Sequence, residues 1–156
     1  MKKYTIAAVV VLMITAVICF DSCKDKGVKL ALCYSETDKV IELYDVKNGD
    51  EFSVEFIHSV NNSPVKDVFV IKDNKIFADR TVYSSFGAGV QTEVEDGQTL
   101  GYDEKGNMVV SGFDIEFERV KYIVGTVSDH ILEIGTECVS LREMCGKNAH
   151  VYFEIR

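Results

Sequence analysis

Short runs of alternating apolar and polar residues, separated by turn-forming residues, fill the chain from residue 28 onward. The run from Phe113 to Glu118 alternates strictly, and the run from Val40 to Asp45 is a looser example. Alternation with a period of two is the pattern of a β-strand that buries one face. Turn signals occur at residues 47–50, 61–64, 72–75, 104–107 and 128–129. A spacing of roughly ten residues predicts an all-β domain, either an antiparallel β-sandwich or a small barrel.

One short segment departs from the strand pattern. Residues Ser140 to Cys145 have a helical character, and Gly146 is well placed to end a helix there. The segment predicts a single helical turn before a last strand from Ala149 to Ile155.

Composition excludes one class of partner. The chain has 25 acidic and 17 basic residues, and its only basic cluster is Lys2-Lys3. Such a surface repels phosphate backbones, so nucleic-acid binding is not expected. No cofactor motif is recognised, and the absence of internal repeats favours one domain.

The N-terminus carries the signal of an exported protein. The stretch from Tyr4 to Phe20 has no charged residue, follows Lys2-Lys3 and ends at Asp21. It is just long enough for a helix that crosses a hydrocarbon layer, which takes roughly 17 to 25 residues. We predict a signal or membrane anchor over residues 1–23 and an extracytoplasmic β-domain over residues 24–156.

Three fates of this N-terminal segment remain open. An uncleaved anchor through residues 4–20 is favoured, because a cleavable signal needs small residues at its exit and Phe20 is large. Lipidation of Cys23 is the second alternative, although Phe20 and Asp21 fit such processing poorly. Secretion after cleavage is the third.

The cysteines of the exported part allow two interpretations. Cys138 and Cys145 can close a short loop outside the cytoplasm, which leaves Cys33 unpaired. Alternatively, all three are small buried apolar side chains. Without a CxxC motif or a neighbouring His, no metal site is predicted.

A histidine and an aspartate occupy inward positions of one predicted hairpin. If its tight turn pairs Val60 with Ser63, residue 58 opposes Val65, and Asp67 lies diagonally across from His58. A diagonal of about 7 to 8 Å between backbones allows two side chains to meet. We therefore expect His58 and Asp67 to converge on the apolar face near one rim of the domain.

Three roles are open for this pair, because burial of two polar groups needs a compensating reason. The pair can fasten the hairpin, it can line a cleft that contacts a polar ligand or an ion, or it can form a catalytic dyad. A catalytic dyad would need a nucleophile, and Ser59 is a poor candidate because it projects to the opposite face of the strand. No catalytic residue is therefore assigned.

Further candidates lie downstream. Gly87-Ala88-Gly89 follows a predicted strand from Ile76 to Phe86 and forms either a bulge or an amide surface for an anion. Arg80 pairs with an inward carboxylate or lies exposed. His130 and His150 are expected at the surface. The ligand-binding candidates are His58, Ser59, Asp67, Arg80, Ser85, Gly87 and Gly89.

The order of these residues resembles a known bacterial family. The motif elements are His58-Ser59-Val60, Pro64, Asp67 and Ser85-Phe86-Gly87-Ala88-Gly89. In this order they are similar to the domain of unknown function 1850 family, most clearly over residues 51–90. Family members commonly have Glu where this chain has Asp67, and often Glu where it has Asn61.

The resemblance implies a cellular context. Members are small exported or membrane-anchored proteins, frequently encoded beside tripartite ATP-independent transporters of the TAXI type. This implies an accessory role in solute uptake, with a small ligand, an ion or a transporter subunit as partner. A hydrolase that uses His58 and Asp67, or a purely structural module, is the alternative.

Overall fold

A computed structural model describes residues 27–60, 62–84 and 94–156. The N-terminal helix predicted over residues 4–20 lies outside these residues. Within them, no helix has the length and apolar content needed to span a membrane. The elements are β1 (Val28–Tyr34), β2 (Val40–Val46), β3 (Glu51–Ile57), β4 (Pro64–Lys72), β5 (Lys75–Tyr83), β6 (Thr99–Tyr102), β7 (Met108–Phe117), β8 (Val120–Ile123), β9 (His130–Ile134), β10 (Glu137–Ser140), α1 (Leu141–Cys145) and β11 (His150–Ile155).

Two antiparallel sheets confirm the predicted all-β sandwich. The small sheet has four strands in the order β2-β1-β11-β8, and the large sheet has seven in the order β10-β9-β3-β4-β5-β7-β6. Strands β3, β4 and β5 follow one another as hairpins, whereas β9 joins the far side of β3 after a long excursion of the chain. Sheet order therefore brings residues near 130 beside residues near 55.

Aromatic rings join the two sheets. Phe52 stacks on Phe69 at 5.0 Å between ring centroids and contacts Phe153 of the small sheet at 5.3 Å. All three rings are buried. Burial of large apolar side chains of this kind contributes about 1.5–3 kcal/mol for each residue. The apolar residues of the alternating strands thus lie between the two sheets.

The β3–β4 hairpin does not have the predicted register. Phe56, and not residue 58, opposes Val65, so the pairing is displaced by two residues. His58 lies beyond the end of β3, where its backbone N–H donates to Ser63 O at 2.9 Å. The connection is consequently wider than a two-residue turn. An even displacement keeps each side chain on its predicted face, so Asp67 still points inward.

Helix α1 confirms the predicted helical turn. Ser140 is its N-cap and accepts a hydrogen bond from the Glu143 N–H at 3.0 Å, while its hydroxyl donates to Asp129. At the other end, Gly146 has φ 94°, in the left-handed region that favours glycine, and its N–H donates to Arg142 O. The last strand begins one residue later than predicted, at His150.

The cysteines that the structure describes are free thiols. Cys33 and Cys145 are buried, and Cys138 is exposed on the edge strand β10. The alternative of a Cys138–Cys145 disulfide is therefore wrong. Two of the three thiols match the alternative of small buried side chains.

Loss of the α1 cap tests how much this turn contributes to stability. We expect Ser140→Ala to lower the free energy of unfolding by about 1 kcal/mol, because the Glu143 N–H and Asp129 both lose a partner. Urea denaturation followed by circular dichroism measures the change. The exposed Ser35→Ala is the control, and equal stability of the two variants would contradict the assigned cap.

Candidate functional site

The side chain of Asp67 lies on the inner face of the large sheet. It opposes Val54 of β3 and Thr81 of β5, and Phe69, two residues later on the same face, is buried. The inward residues of β4 two positions before and after Asp67 are Val65 and Phe69, which are both apolar and buried. A carboxyl group in such a position loses its hydration, which is unfavourable unless hydrogen bonds replace it.

Two hydroxyl groups supply those hydrogen bonds, one from each sheet. Thr81 Oγ1 donates to Asp67 Oδ1 at 2.9 Å within the large sheet. Tyr122 Oη donates to Asp67 Oδ2 at 3.1 Å from β8 of the small sheet. Burial raises the pKa of Asp67, and the two hydrogen bonds and nearby His130 oppose that rise. Burial and the adjacent carboxylate likewise raise the pKa of Tyr122.

His130 completes this group of side chains. Its ring stacks on Phe56 at 5.3 Å and meets the Tyr122 ring edge to face at 5.9 Å. The Gly125 N–H donates to His130 Nδ1 at 3.2 Å, so Nδ1 acts as an acceptor and the imidazole is neutral. Burial is the largest influence on the imidazole and lowers its pKa. We call Phe56, Asp67, Thr81, Tyr122 and His130 the Asp67 centre.

The Gly125 contact fixes the loop that leads to His130. A Cβ at residue 125 would lie 2.1 Å from the Ser128 carbonyl oxygen, so only glycine fits there. Asp129 Oδ1 accepts from the backbone N–H of both His130 and Arg142, which ties this loop to α1. The neutral imidazole is thereby held in one orientation.

Chemically, the Asp67 centre offers a carboxyl group, a phenol, an alcohol and a neutral imidazole within one apolar frame. These groups can exchange hydrogen bonds with a polar ligand and can take up or release protons. Among residues 27–60, 62–84 and 94–156, no three His, Cys, Asp or Glu side chains are grouped as metal ligands.

His58 does not take the position expected for it. The Phe56–Val65 pair lies between His58 and Asp67, because Asp67 opposes Val54. His58 Nδ1 instead accepts from the Val60 N–H at 3.3 Å within its own turn. The predicted His58–Asp67 convergence, and with it the dyad of the hydrolase alternative, depended on a register that is wrong by two residues.

Three members of the centre were missed by the sequence analysis: Thr81, Tyr122 and His130. His130, expected at the surface, shares its face with Leu132 and Ile134, which are buried. Tyr122 shares its face with Val120 and Val124, which are buried as well. The inward direction of Tyr122 and His130 could therefore have been predicted from the alternation in the sequence, whereas the residues that they contact could not. His150 is exposed, as expected.

Arg80 belongs to the opposite face of the large sheet. Its guanidinium makes two hydrogen bonds to the Glu51 carboxylate, at 3.0 and 2.8 Å, and one to Asp79. The Arg80 hydrogen bond is the main reason why the pKa of Glu51 is lowered. Arg80 does pair with carboxylates, but none of them is inward, and it takes no part in the Asp67 centre.

The remaining candidates are divided between the surface and the undescribed residues. Ser59 is exposed in the turn after β3. Ser85, Gly87 and Gly89 lie outside the described residues, as does the end of the strand predicted to reach Phe86. Strand β5 itself ends at Tyr83.

Acidification tests the hydrogen bond to the neutral imidazole. The folded-state pKa of His130 is lowered from 6.5, so its stabilising contribution is present above pH 6.5 and is lost as pH falls below that value. The raised pKa of Asp67 acts in the opposite direction, since its protonation adds stability as pH falls. The imidazole must therefore be isolated by comparison with His130→Gln.

From pH 7.5 to 5.5 we expect the wild type to lose up to about 1 kcal/mol more stability than His130→Gln, after allowance for solvent screening of the partly exposed ring. Urea midpoints at the two pH values measure this difference. Parallel losses in both proteins would show that the Gly125–His130 contact does not require a neutral ring.

Comparison with known proteins identifies a family and no characterised relative. No curated protein and no solved structure matches this chain. The family described as domain of unknown function (DUF1850) matches residues 52–141, which is more than half of the chain and extends well past the region of clearest resemblance. The match begins on β3 and ends at the start of α1, so it includes every residue of the Asp67 centre. The chain is therefore a member of the DUF1850 family.

Proposed function

We propose that this protein is a membrane-tethered binding or accessory protein of the bacterial cell envelope, in which the Asp67 centre contacts a small polar ligand or an ion. The observation that carries this proposal is the carboxyl group of Asp67 on an apolar inner face, bonded from both sheets and adjacent to a neutral imidazole.

The energetics of buried polar groups favour a functional reason for this centre. Replacing a buried polar network with well-packed apolar side chains is often neutral or stabilising. A sandwich of this size already has an extensive apolar core around Phe52 and Phe69. A sandwich that needed only stability would therefore gain little from a carboxyl group at residue 67, whereas a binding site needs polar groups held in fixed directions.

The proposal that the protein is tethered to a membrane is based on its N-terminal sequence. The uncharged stretch from Tyr4 to Phe20 after Lys2-Lys3 supports an anchor with the domain outside the cytoplasm. The family resemblance supports a location beside a tripartite ATP-independent transporter, with a transporter subunit as a second partner. A tether keeps the binding domain at the membrane, where solute enters such a transporter.

Substitution of Asp67 by Leu separates a binding site from a fastener. The full chain in a neutral detergent is heated with organic acids, amino acids or divalent cations, and unfolding is followed by circular dichroism because the chain has no Trp. A compound present at about 100 times its dissociation constant adds about 2.7 kcal/mol to the wild type. We expect Asp67→Leu to remove that shift and, without ligand, to lower the free energy of unfolding by about 1–3 kcal/mol, because the hydroxyl groups of Thr81 and Tyr122 lose their partner.

Glu116→Leu is the control, because Glu116 is an exposed strand carboxylate that pairs with Lys75. This variant should keep the ligand-induced shift. If no compound stabilises the wild type, or if the shift persists in Asp67→Leu, the proposal fails, and the stability lost in this variant then identifies Asp67 as a fastener between the sheets.

A cysteine scan tests the tether separately. A cysteine introduced at Lys105, in the exposed turn before β7, should react with a membrane-impermeant maleimide on intact cells, with Cys23 and Cys138 replaced by Ser so that neither native thiol takes the label. Labelling only after lysis would place the domain in the cytoplasm and contradict this orientation.

A further inference from the structure

A second cleft lies at the opposite end of the sandwich from the Asp67 centre. It has a volume of about 560 Å³ and runs between the end of β2, the start of β3 and the β9–β10 turn. Ile134 of its wall pairs with Phe52, whereas His130 of the Asp67 centre pairs with Phe56, at the other end of the same two strands. The volume is within the usual range of small-molecule sites, roughly 300–1,000 Å³.

Tyr44 gives this cleft an unsatisfied polar group. The residue lines the cleft, is only 7% exposed, and its hydroxyl is buried without a hydrogen-bond partner among the residues the structure describes. Buried hydroxyl groups in folded proteins nearly always have a partner, so an orphan points to a missing one. Burial, with Glu42 and Glu137 nearby, raises the pKa of Tyr44 to about 12, so the hydroxyl keeps its proton.

The walls of the cleft are acidic. Asp45, Asp50, Glu51 and Glu137 line it, and within the described part of the chain no Lys, Arg or His side chain does so. Arg80 partly neutralises Glu51 and Lys29 pairs with Asp45, both from outside the cleft wall. Glu137 makes no ion pair with any described residue. Carboxylates in a concave surface attract cations, and the net charge of −8 adds to that attraction.

Apolar side chains form the rest of the surface. Val46 and Ile134 are core residues whose edges reach the cleft, and Leu43 is 45% exposed there. An inorganic ion gains nothing from such contacts, whereas an organic ion with a hydrophobic body does. Apolar walls, carboxylates with no cationic side chain in the cleft wall and an orphaned hydroxyl together define one ligand class.

We propose that this cleft binds an organic cation, a protonated amine on a small apolar body, with Glu137 facing the ammonium group and the Tyr44 hydroxyl as its hydrogen-bond partner. The apolar body lies against Leu43, Val46 and Ile134. The site shares no residue with the Asp67 centre, so it does not depend on the function proposed above.

Benzylamine and benzyl alcohol provide a matched pair of probes. They have the same ring and nearly the same size, and only the amine is charged at pH 7. Isothermal calorimetry on the full chain in a neutral detergent, with empty micelles as a blank, should give saturable binding of benzylamine and none of benzyl alcohol. Equal binding of both probes, or no saturable binding of benzylamine, would overturn the proposal.

Two variants locate the binding. Tyr44→Phe and Glu137→Gln should each weaken benzylamine binding by about five- to tenfold, roughly the value of one hydrogen bond or one partly screened charge contact. Glu104→Gln, an exposed acid in the turn before β7, should leave it unchanged. If all three variants bind like wild type, the amine binds elsewhere and the assignment is wrong.

Stability of Tyr44→Phe gives a readout that needs no ligand. Because the hydroxyl has no protein partner, its removal should leave the melting temperature unchanged or slightly higher. A markedly lower melting temperature would mean that the hydroxyl is already satisfied within the fold, and this result would remove the main argument for the site.

Discussion

The structure is governed by the burial of one face of β3 and β4 against the small sheet. Phe52 and Val54 of β3 and Phe69 of β4 are buried because their parity directs them between the sheets. Asp67 has the same parity as Phe69, so it points inward with Phe69. A polar side chain on that face must find partners inside the protein, and Thr81 and Tyr122 provide them.

The two ends of the sandwich solve the problem of buried polar groups differently. Around Asp67, donors from both sheets satisfy the carboxyl group, and the cost of burial is expressed in shifted pKa values. Around Tyr44, the hydroxyl stays without a described partner in a wall whose charged side chains are all carboxylates. The hydrogen bonds of the Asp67 centre are thus complete within the protein, whereas the Tyr44 hydroxyl can still form a hydrogen bond with a ligand.

Hydrogen bonding to His130 links the Asp67 centre to the rest of the fold. His130 Nδ1 accepts a hydrogen bond from the Gly125 N–H. The neighbouring Asp129 carboxylate accepts from the backbone N–H of His130 in β9 and of Arg142 in α1. A change in protonation of this imidazole therefore affects the loop before β9 and the contacts of α1 with it. Arg80, by contrast, sits in a network of surface ion pairs on the outer face, where such pairs contribute little to stability.

The amino-acid sequence was enough to predict the fold class, the short helix with its glycine stop, the family, and the inward direction of Asp67. All of these follow from local patterns: a period of two, a cap, a motif order. The neighbours of Asp67 could not be predicted in this way, because they depend on how distant strands pair and pack. His58 lies nine residues from Asp67 in the chain and was the natural choice, but the wider turn moved it past the Phe56–Val65 pair. His130 came from a strand added on the far side of β3, and Tyr122 came from the other sheet. Turn width and sheet order depend on how distant segments pack, which no local pattern encodes.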